Sequence, residues 1–245
     1  MFSPFELPSG LVLFVTDTLA SPAGWVLHRG LIDHLKGVKS DTQKKAIVLS
    51  VSEDLARWKA IAAKSNLHLD QKAASGAFVF IDVLARVHPP DTDSPLPVLR
   101  PVLDAVVSAL GPDADRTDTL VIVDDLATLD WLGFSVLDIT RFCRALAATC
   151  RKANATLLIR QHLLAPDAAP DELFRALNQL CTYHMEVLPL ASGRSGAVSG
   201  QVALHLGPGT PKSGVRLLSR SVALQYKLSD GGAVFFERGT GAGVL

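Results

Sequence analysis

Between Thr119 and Asp125 the chain reads Thr-Leu-Val-Ile-Val-Asp-Asp. Four consecutive apolar residues, two of them β-branched valines, are bounded by polar ones. That is the profile of a strand buried on both faces in the middle of a parallel sheet, and it directs the chain toward an α/β fold. Asp124 and Asp125 stand where this strand emerges at its carboxyl end. In open α/β sheets that edge is where ligands bind, and in nucleotide-hydrolysing proteins an Asp there commonly helps to hold magnesium.

The flanking sequence supplies the rest of such a sheet. Leu11–Val15, Ala46–Leu49, Ala77–Leu84 and Ala155–Ile159 read as further buried strands. Helical spacing marks the segments between them. Leu27, Leu31 and Leu35 form one stripe, and Leu55, Trp58, Ile61 and Ala62 form a second. A third comprises Leu99, Val102, Leu103, Val106 and Leu110, and a fourth Ile139, Phe142, Cys143, Leu146 and Cys150. Ser50 and Glu53 have the spacing of a capping box for the second helix. Residues 126–133 read as a loop, and 171–180 as a short helix. After Cys181 the pattern becomes period-two alternation over 182–190, 201–206, 219–227 and 233–237. The turns between these runs include Asp230-Gly231-Gly232, a strong hairpin signal. The expectation is a single domain over 1–245: a β/α core over 8–180, with a mostly parallel sheet flanked by helices, extended by an antiparallel meander over 181–240.

A chain of 245 residues is long enough for one sizeable core. Its 24 basic and 24 acidic residues balance, which argues against strong nucleic-acid binding through overall charge. Cys143, Cys150 and Cys181 include no Cys-x-x-Cys pair, and an odd count gives no disulfide framework. They read as reduced structural cysteines of a cytosolic or nuclear protein. The seven histidines show no ligand spacing, so no metal is expected. The apolar runs are too short for a membrane span, and no basic residue precedes the first of them as in a signal peptide.

A phosphate-binding loop needs glycines whose N–H groups surround phosphates, and a lysine that reaches their charge. The stretch after the first strand, residues 16–25, holds Asp17, Ser21, Pro22 and Gly24. It has no Gly-Lys-Ser/Thr, and no lysine occurs before Lys36. Pro22 lacks an N–H donor, and Asp17 would set a negative charge against incoming phosphate. Nucleotide hydrolysis at this position is therefore not expected. Asp124 and Asp125 then read as strand-end carboxylates that cap loops or the N–H groups of a following helix. The alternative is a nucleotide-dependent enzyme with an unorthodox magnesium site around Asp17, Asp124 and Asp125. For nucleic acid the candidates are Arg160, His162 and Arg175 beside the loop after the fifth strand. Arg194, Lys212, Arg216 and Arg220 accompany the meander turns.

The strand–helix order, the Asp-tipped strand and Leu157-Leu-Ile-Arg-Gln161 together resemble the RecA-type ATPase core. In that core a glutamine often ends the strand after the Asp-bearing one and senses nucleotide, and Gln161 occupies the matching place. The opening Leu11-Val-Leu-Phe-Val-Thr-Asp-Thr-Leu-Ala-Ser-Pro-Ala23, followed by Trp25-Val-Leu-His-Arg29, resembles the sixth-subunit family of the Elongator complex. The degenerate first loop and the strands at 46–51 and 77–84 are similar to that family too. The resemblance implies a non-catalytic RecA-like subunit with no cofactor. It implies a hexameric ring with the fourth and fifth subunits, two copies of each, which associates with the catalytic Elongator subcomplex. Through that ring it implies support of transfer RNA binding and wobble-uridine modification, in cytoplasm and nucleus. RNA contact is expected from loops facing the ring centre, yet 126–133 and 162–170 are mostly apolar or acidic.

Overall fold

The computed structural model describes residues 7–8, 10–37, 43–87, 98–112, 117–164, 171–190, 193, 195–209, 215–229 and 232–237. Nine strands join in one sheet. They are β1 (Val12–Thr18), β2 (Gln43–Ser50), β3 (Phe78–Asp82), β4 (Thr117–Val123), β5 (Thr156–Leu163), β6 (Tyr183–Leu188), β7 (Gly200–Leu206), β8 (Leu224–Ser229) and β9 (Gly232–Phe236). Their spatial order is β3-β2-β4-β5-β1-β6-β7-β8-β9. The first six in that order are parallel, and the rest are antiparallel.

Seven helices accompany the described strands: α1 (Gly24–Lys36), α2 (Leu55–Lys64), α3 (Leu69–Ala74), α4 (Arg100–Leu110), α5 (Ala127–Trp131), α6 (Val136–Lys152) and α7 (Glu172–Asn178). Alternation along the strands decides which layer each residue joins. Val12, Phe14, Val121, Val123, Leu157 and Ile159 pack under α4, α6 and α7. Leu13, Val15, Leu120, Ile122 and Leu158 point the other way, into a core with Leu27 and Leu31 of α1 and Trp58 of α2. The four-residue apolar run of β4 is buried throughout, as a central strand covered on both faces must be.

The sequence stripes hold with small changes of boundary. On α6, Ile139, Phe142, Cys143, Leu146 and Cys150 all face the core, and Asn154, at φ 49°, turns the chain just beyond the helix end. Burial pushes the thiols of Cys143 and Cys150 up to about 12, which leaves them as inert core groups.

Four expectations need correction. α2 is capped by Asp54, whose carboxylate accepts from Arg57 N at 2.7 Å. Ser50 Oγ accepts from Glu53 N at 3.3 Å, but both residues precede the helix and the Glu53 carboxylate turns to His28 and Arg57, so no reciprocal box forms. α3, besides, forms in a stretch to which no element was assigned. Residues 127–131, read as loop, make the short helix α5, started by the Asp125 side chain. The antiparallel extension begins at β7 and not at 181: β6 pairs parallel with β1, because α7 provides the crossover that a parallel strand requires. Within the expected strand at 219–227, residues 220–222 form a 3-10 turn, and β8 starts at Leu224. The hairpin signal at 230–232 matches the pairing of Ser229 with Gly232, although residues 230 and 231 lie outside the described residues.

Candidate functional site

At the carboxyl end of β1 the chain makes a tight turn, with Ser21 N donating to Thr18 O at 3.0 Å, before entering α1. Ser21 Oγ lies 2.9 Å from the Tyr226 hydroxyl of β8. Gly200 lets that contact form: a Cβ there would lie 2.7 Å from Ser21 Oγ and 2.8 Å from the Tyr226 hydroxyl. The turn is therefore tied to the antiparallel extension.

Asp17 is the centre of this end of the sheet, and its side chain is completely buried. Its Oδ2 accepts from Ala23 N at 2.5 Å, at the start of α1. Arg160 of β5 brings Nε to 3.0 Å and Nη2 to 2.9 Å of the same oxygen. His162 Nδ1 approaches Oδ1 at 3.1 Å. The parallel register sets Val15 beside Arg160 and Asp17 beside His162, so the guanidinium, the imidazole and the carboxylate share one face. A buried carboxylate at a helix N-terminus, held by charged donors, satisfies itself within the protein.

Arg160 also donates through Nη1 to the Asp124 carbonyl at 3.3 Å, linking this cluster to the end of β4. Asp124, 1% exposed, turns its carboxylate toward β2 and not toward solvent. It receives Ser50 Oγ at 2.5 Å, Val51 N at 2.7 Å, Ser52 Oγ at 3.1 Å and Glu53 N at 3.2 Å. Burial raises its pKa, against the pull of the hydrogen bonds from Ser50, Val51 and Ser52. Asp125 accepts from Ala127 N at 3.0 Å and Thr128 Oγ1 at 3.1 Å, capping α5. Both carboxylates thus accept from the loop and helix that surround them.

Gln161 is 2% exposed and reaches Asp171 only at 3.4–3.5 Å, while its Oε1 has no hydrogen-bond partner among the described residues. The nucleic-acid candidates do not gather. Arg160 and His162 are turned onto Asp17, and Arg175 is exposed on α7. Arg216 is exposed beside the extension, 4.0 Å from Glu237. Arg194 and Lys212 lie outside the described residues.

Sequence reasoning missed a second polar cluster on the opposite face of β6 and β7. Glu186 takes Arg220 Nη2 and His205 Nε2, each at 2.6 Å. His184 Nε2 lies 2.8 Å from Thr16 Oγ1, and its ring stacks on Phe14 at 5.1 Å. Arg220 had been grouped with surface arginines, and only alternation within β6 hinted that Glu186 would turn inward. Burial pushes His184 down to about 4. Burial also resists ionisation of Glu186, but hydrogen bonds from Arg220 and His205 hold it down to about 2. Both folded pKa values lie below their unfolded values, so protons bind more readily to the unfolded chain. Stability should therefore fall as pH drops from 6.5 toward 4, through His184, and again from 4.5 toward 2, through Glu186. The first window carries a slope of up to about 1.4 kcal/mol per pH unit. Urea midpoints across it check this, and His184→Gln should flatten the slope.

An apolar rim runs along the same sheet edge as Asp17 and Asp124. Leu19 after β1, Trp131 in the helix after β4, and Leu164 after β5 are 86%, 65% and 67% exposed. These segments follow three adjacent strands, so the residues belong to one edge of the molecule.

The profile of the family described as Elongation complex protein 6 matches residues 1–230. Elongator complex protein 6 of Danio rerio is 26% identical, over 99% of this chain and 96% of its own length. The Xenopus laevis protein of the same name is 32% identical over 60% of this chain and 57% of its own. The Homo sapiens protein is 30% identical over the same shares. No helix among the described residues is long and apolar enough to cross a membrane. With the α/β sheet in place, and with the profile covering nearly its whole length, the chain belongs to the Elongation complex protein 6 family.

Proposed function

We propose that this chain is a non-catalytic, RecA-like single-domain subunit of the Elongator complex. In this reading it assembles with the fourth and fifth subunits into a hexameric ring that supports transfer RNA binding and wobble-uridine modification in cytoplasm and nucleus. Membership of the family supports the Elongator assignment. The observation that carries the non-catalytic role is the closure of the β1 edge. The place at the start of α1 where a phosphate would meet N–H donors is filled by the chain's own Asp17 carboxylate, already paired with the Arg160 guanidinium and in contact with the His162 ring. Pro22 and the Ser21–Tyr226 contact hold that turn shut. Asp124 and Asp125 spend their oxygens on loop and helix donors, which opposes the alternative of a magnesium-dependent enzyme around these three carboxylates.

The exposed Leu19, Trp131 and Leu164 at this edge are the surface that the reading assigns to assembly. Native purification through a tag on this chain, followed by a mass for the intact assembly, tests the ring. Two related RecA-like proteins in equal amounts are the expected result. A homo-oligomer or a lone monomer would overturn it. Placing a charge at the exposed Trp131, as Trp131→Glu, should then release the chain from the assembly while leaving its own unfolding midpoint nearly unchanged.

A further inference from the structure

From the sheet edge, where Pro22, Gly24 and Arg160 line one end, a groove of about 600 Å³ runs over α1, walled on one side by α2 and on the other by the β8–β9 hairpin. Its volume falls in the range of formed ligand sites. Two helix stripes line it, each at the spacing that keeps side chains on one face. On α1 these are Trp25, Arg29 and Ile32, and on α2 they are Arg57, Ile61 and Lys64. Leu228 and Ala233 of the hairpin add apolar surface. The groove therefore alternates apolar and cationic side chains along both helices.

The balance of used and unused charge decides what fits. Glu53 spends both oxygens inside the protein, one on His28 at 2.9 Å and one on Arg57 Nε at 3.0 Å. Its pKa is lowered, because the hydrogen bonds from His28 and Arg57 outweigh the burial that resists ionisation. Asp33 accepts from Arg29 Nε at 3.2 Å. Arg57 uses only Nε in this way, and its terminal nitrogens, like the Lys64 ammonium, have no partner among the described residues. The donors left open in the groove are thus cationic and both belong to α2, beside the apolar Ile61. The complement is a carboxylate next to an apolar side chain.

We infer that the groove receives an extended acidic peptide segment of another protein. The peptide seats an apolar side chain between Ile32 and Ile61 and sets carboxylates against Arg57 and Lys64. A polynucleotide fits less well, because about half the lining is apolar and would face its charged backbone without gain. Peptide grooves of this kind combine apolar pockets with charge pairs at the rim. The inference goes beyond the ring reading and does not depend on it.

Fluorescence anisotropy with the full chain tests it. The probes are a short dye-labelled peptide alternating Asp and Leu, the same peptide with Asn for Asp, and a dye-labelled oligouridylate. Saturable binding of the acidic peptide is expected, weaker by about tenfold or more for the Asn peptide and for the double variant Arg57→Glu, Lys64→Glu. Both positions are exposed, so the variant stays folded, with only a small fall in unfolding midpoint from the lost Arg57–Glu53 pair. Arg100→Glu, at an exposed residue of α4 on the other side of the sheet, should bind as the parent does. Failure of the acidic peptide to bind would overturn the inference. So would equal binding of the Asn peptide, indifference to the double variant, or tighter binding of the oligouridylate at this groove. A monomeric chain that binds the peptide would leave the groove standing and sink the ring.

Discussion

Arg160→Ala is expected to cost about 3–5 kcal/mol of folding stability, because it strands the completely buried Asp17 carboxylate without its strongest partner. That is a large share of the roughly 5–15 kcal/mol that holds a domain of this kind together. The exposed pair Arg100–Asp104, at a shorter 2.7 Å, should yield under about 1 kcal/mol when broken, since water replaces what is lost. Burial, and not separation, sets the difference. Urea unfolding measures it, and the double variant Asp17→Asn, Arg160→Ala should recover much of the loss by removing the stranded charge. A loss below about 1 kcal/mol for Arg160→Ala would mean that the cluster is not what closes the end of β1. Arg160 would then return to the nucleic-acid candidates.

Asp124→Ala should be comparably damaging for a different reason. Ser50 Oγ, Val51 N, Ser52 N and Glu53 N all turn to one carboxylate. Each donor left buried without an acceptor costs about 1–3 kcal/mol, and relaxation of the loop toward solvent will satisfy some of them, so about 3–5 kcal/mol is expected. Asp125→Ala removes only a cap of the five-residue helix α5, worth about 1 kcal/mol. Two adjacent aspartates at the end of one strand therefore separate by several-fold in effect. Unfolding midpoints of the two variants check the contrast. Equal, small losses would reopen the reading in which the pair serves a ligand.

Periodicity carried far in this chain. The β4 run announced a strand covered on both sides, and the stripes on α1, α4 and α6 announced which helix faces cover it. These signals are local, because burial on a sheet or helix face repeats every two or every 3.6 residues. The same logic read the thiols of Cys143 and Cys150 as core groups, and both are buried. Short elements escaped it: α3 and α5 span six and five residues, too few for a repeat to declare itself.

Other features were legible in kind but not in place. Asp17 read as a negative charge after the first strand, and Arg160 only as a cation near a loop. They lie 143 residues apart, and nothing local ties one to the other. The same holds for Glu186, which takes Arg220 from 34 residues away, and for the groove, whose walls come from two helices and a distant hairpin. Which strands exist and which side of each is apolar were written in the sequence, since both follow from the spacing of neighbours along the chain. Which charges meet was decided only by the parallel register of β1 against β5 and by the packing of β6 beside β1. Long-range pairing depends on how strands are ordered in space, a property of the whole sheet and not of any one segment.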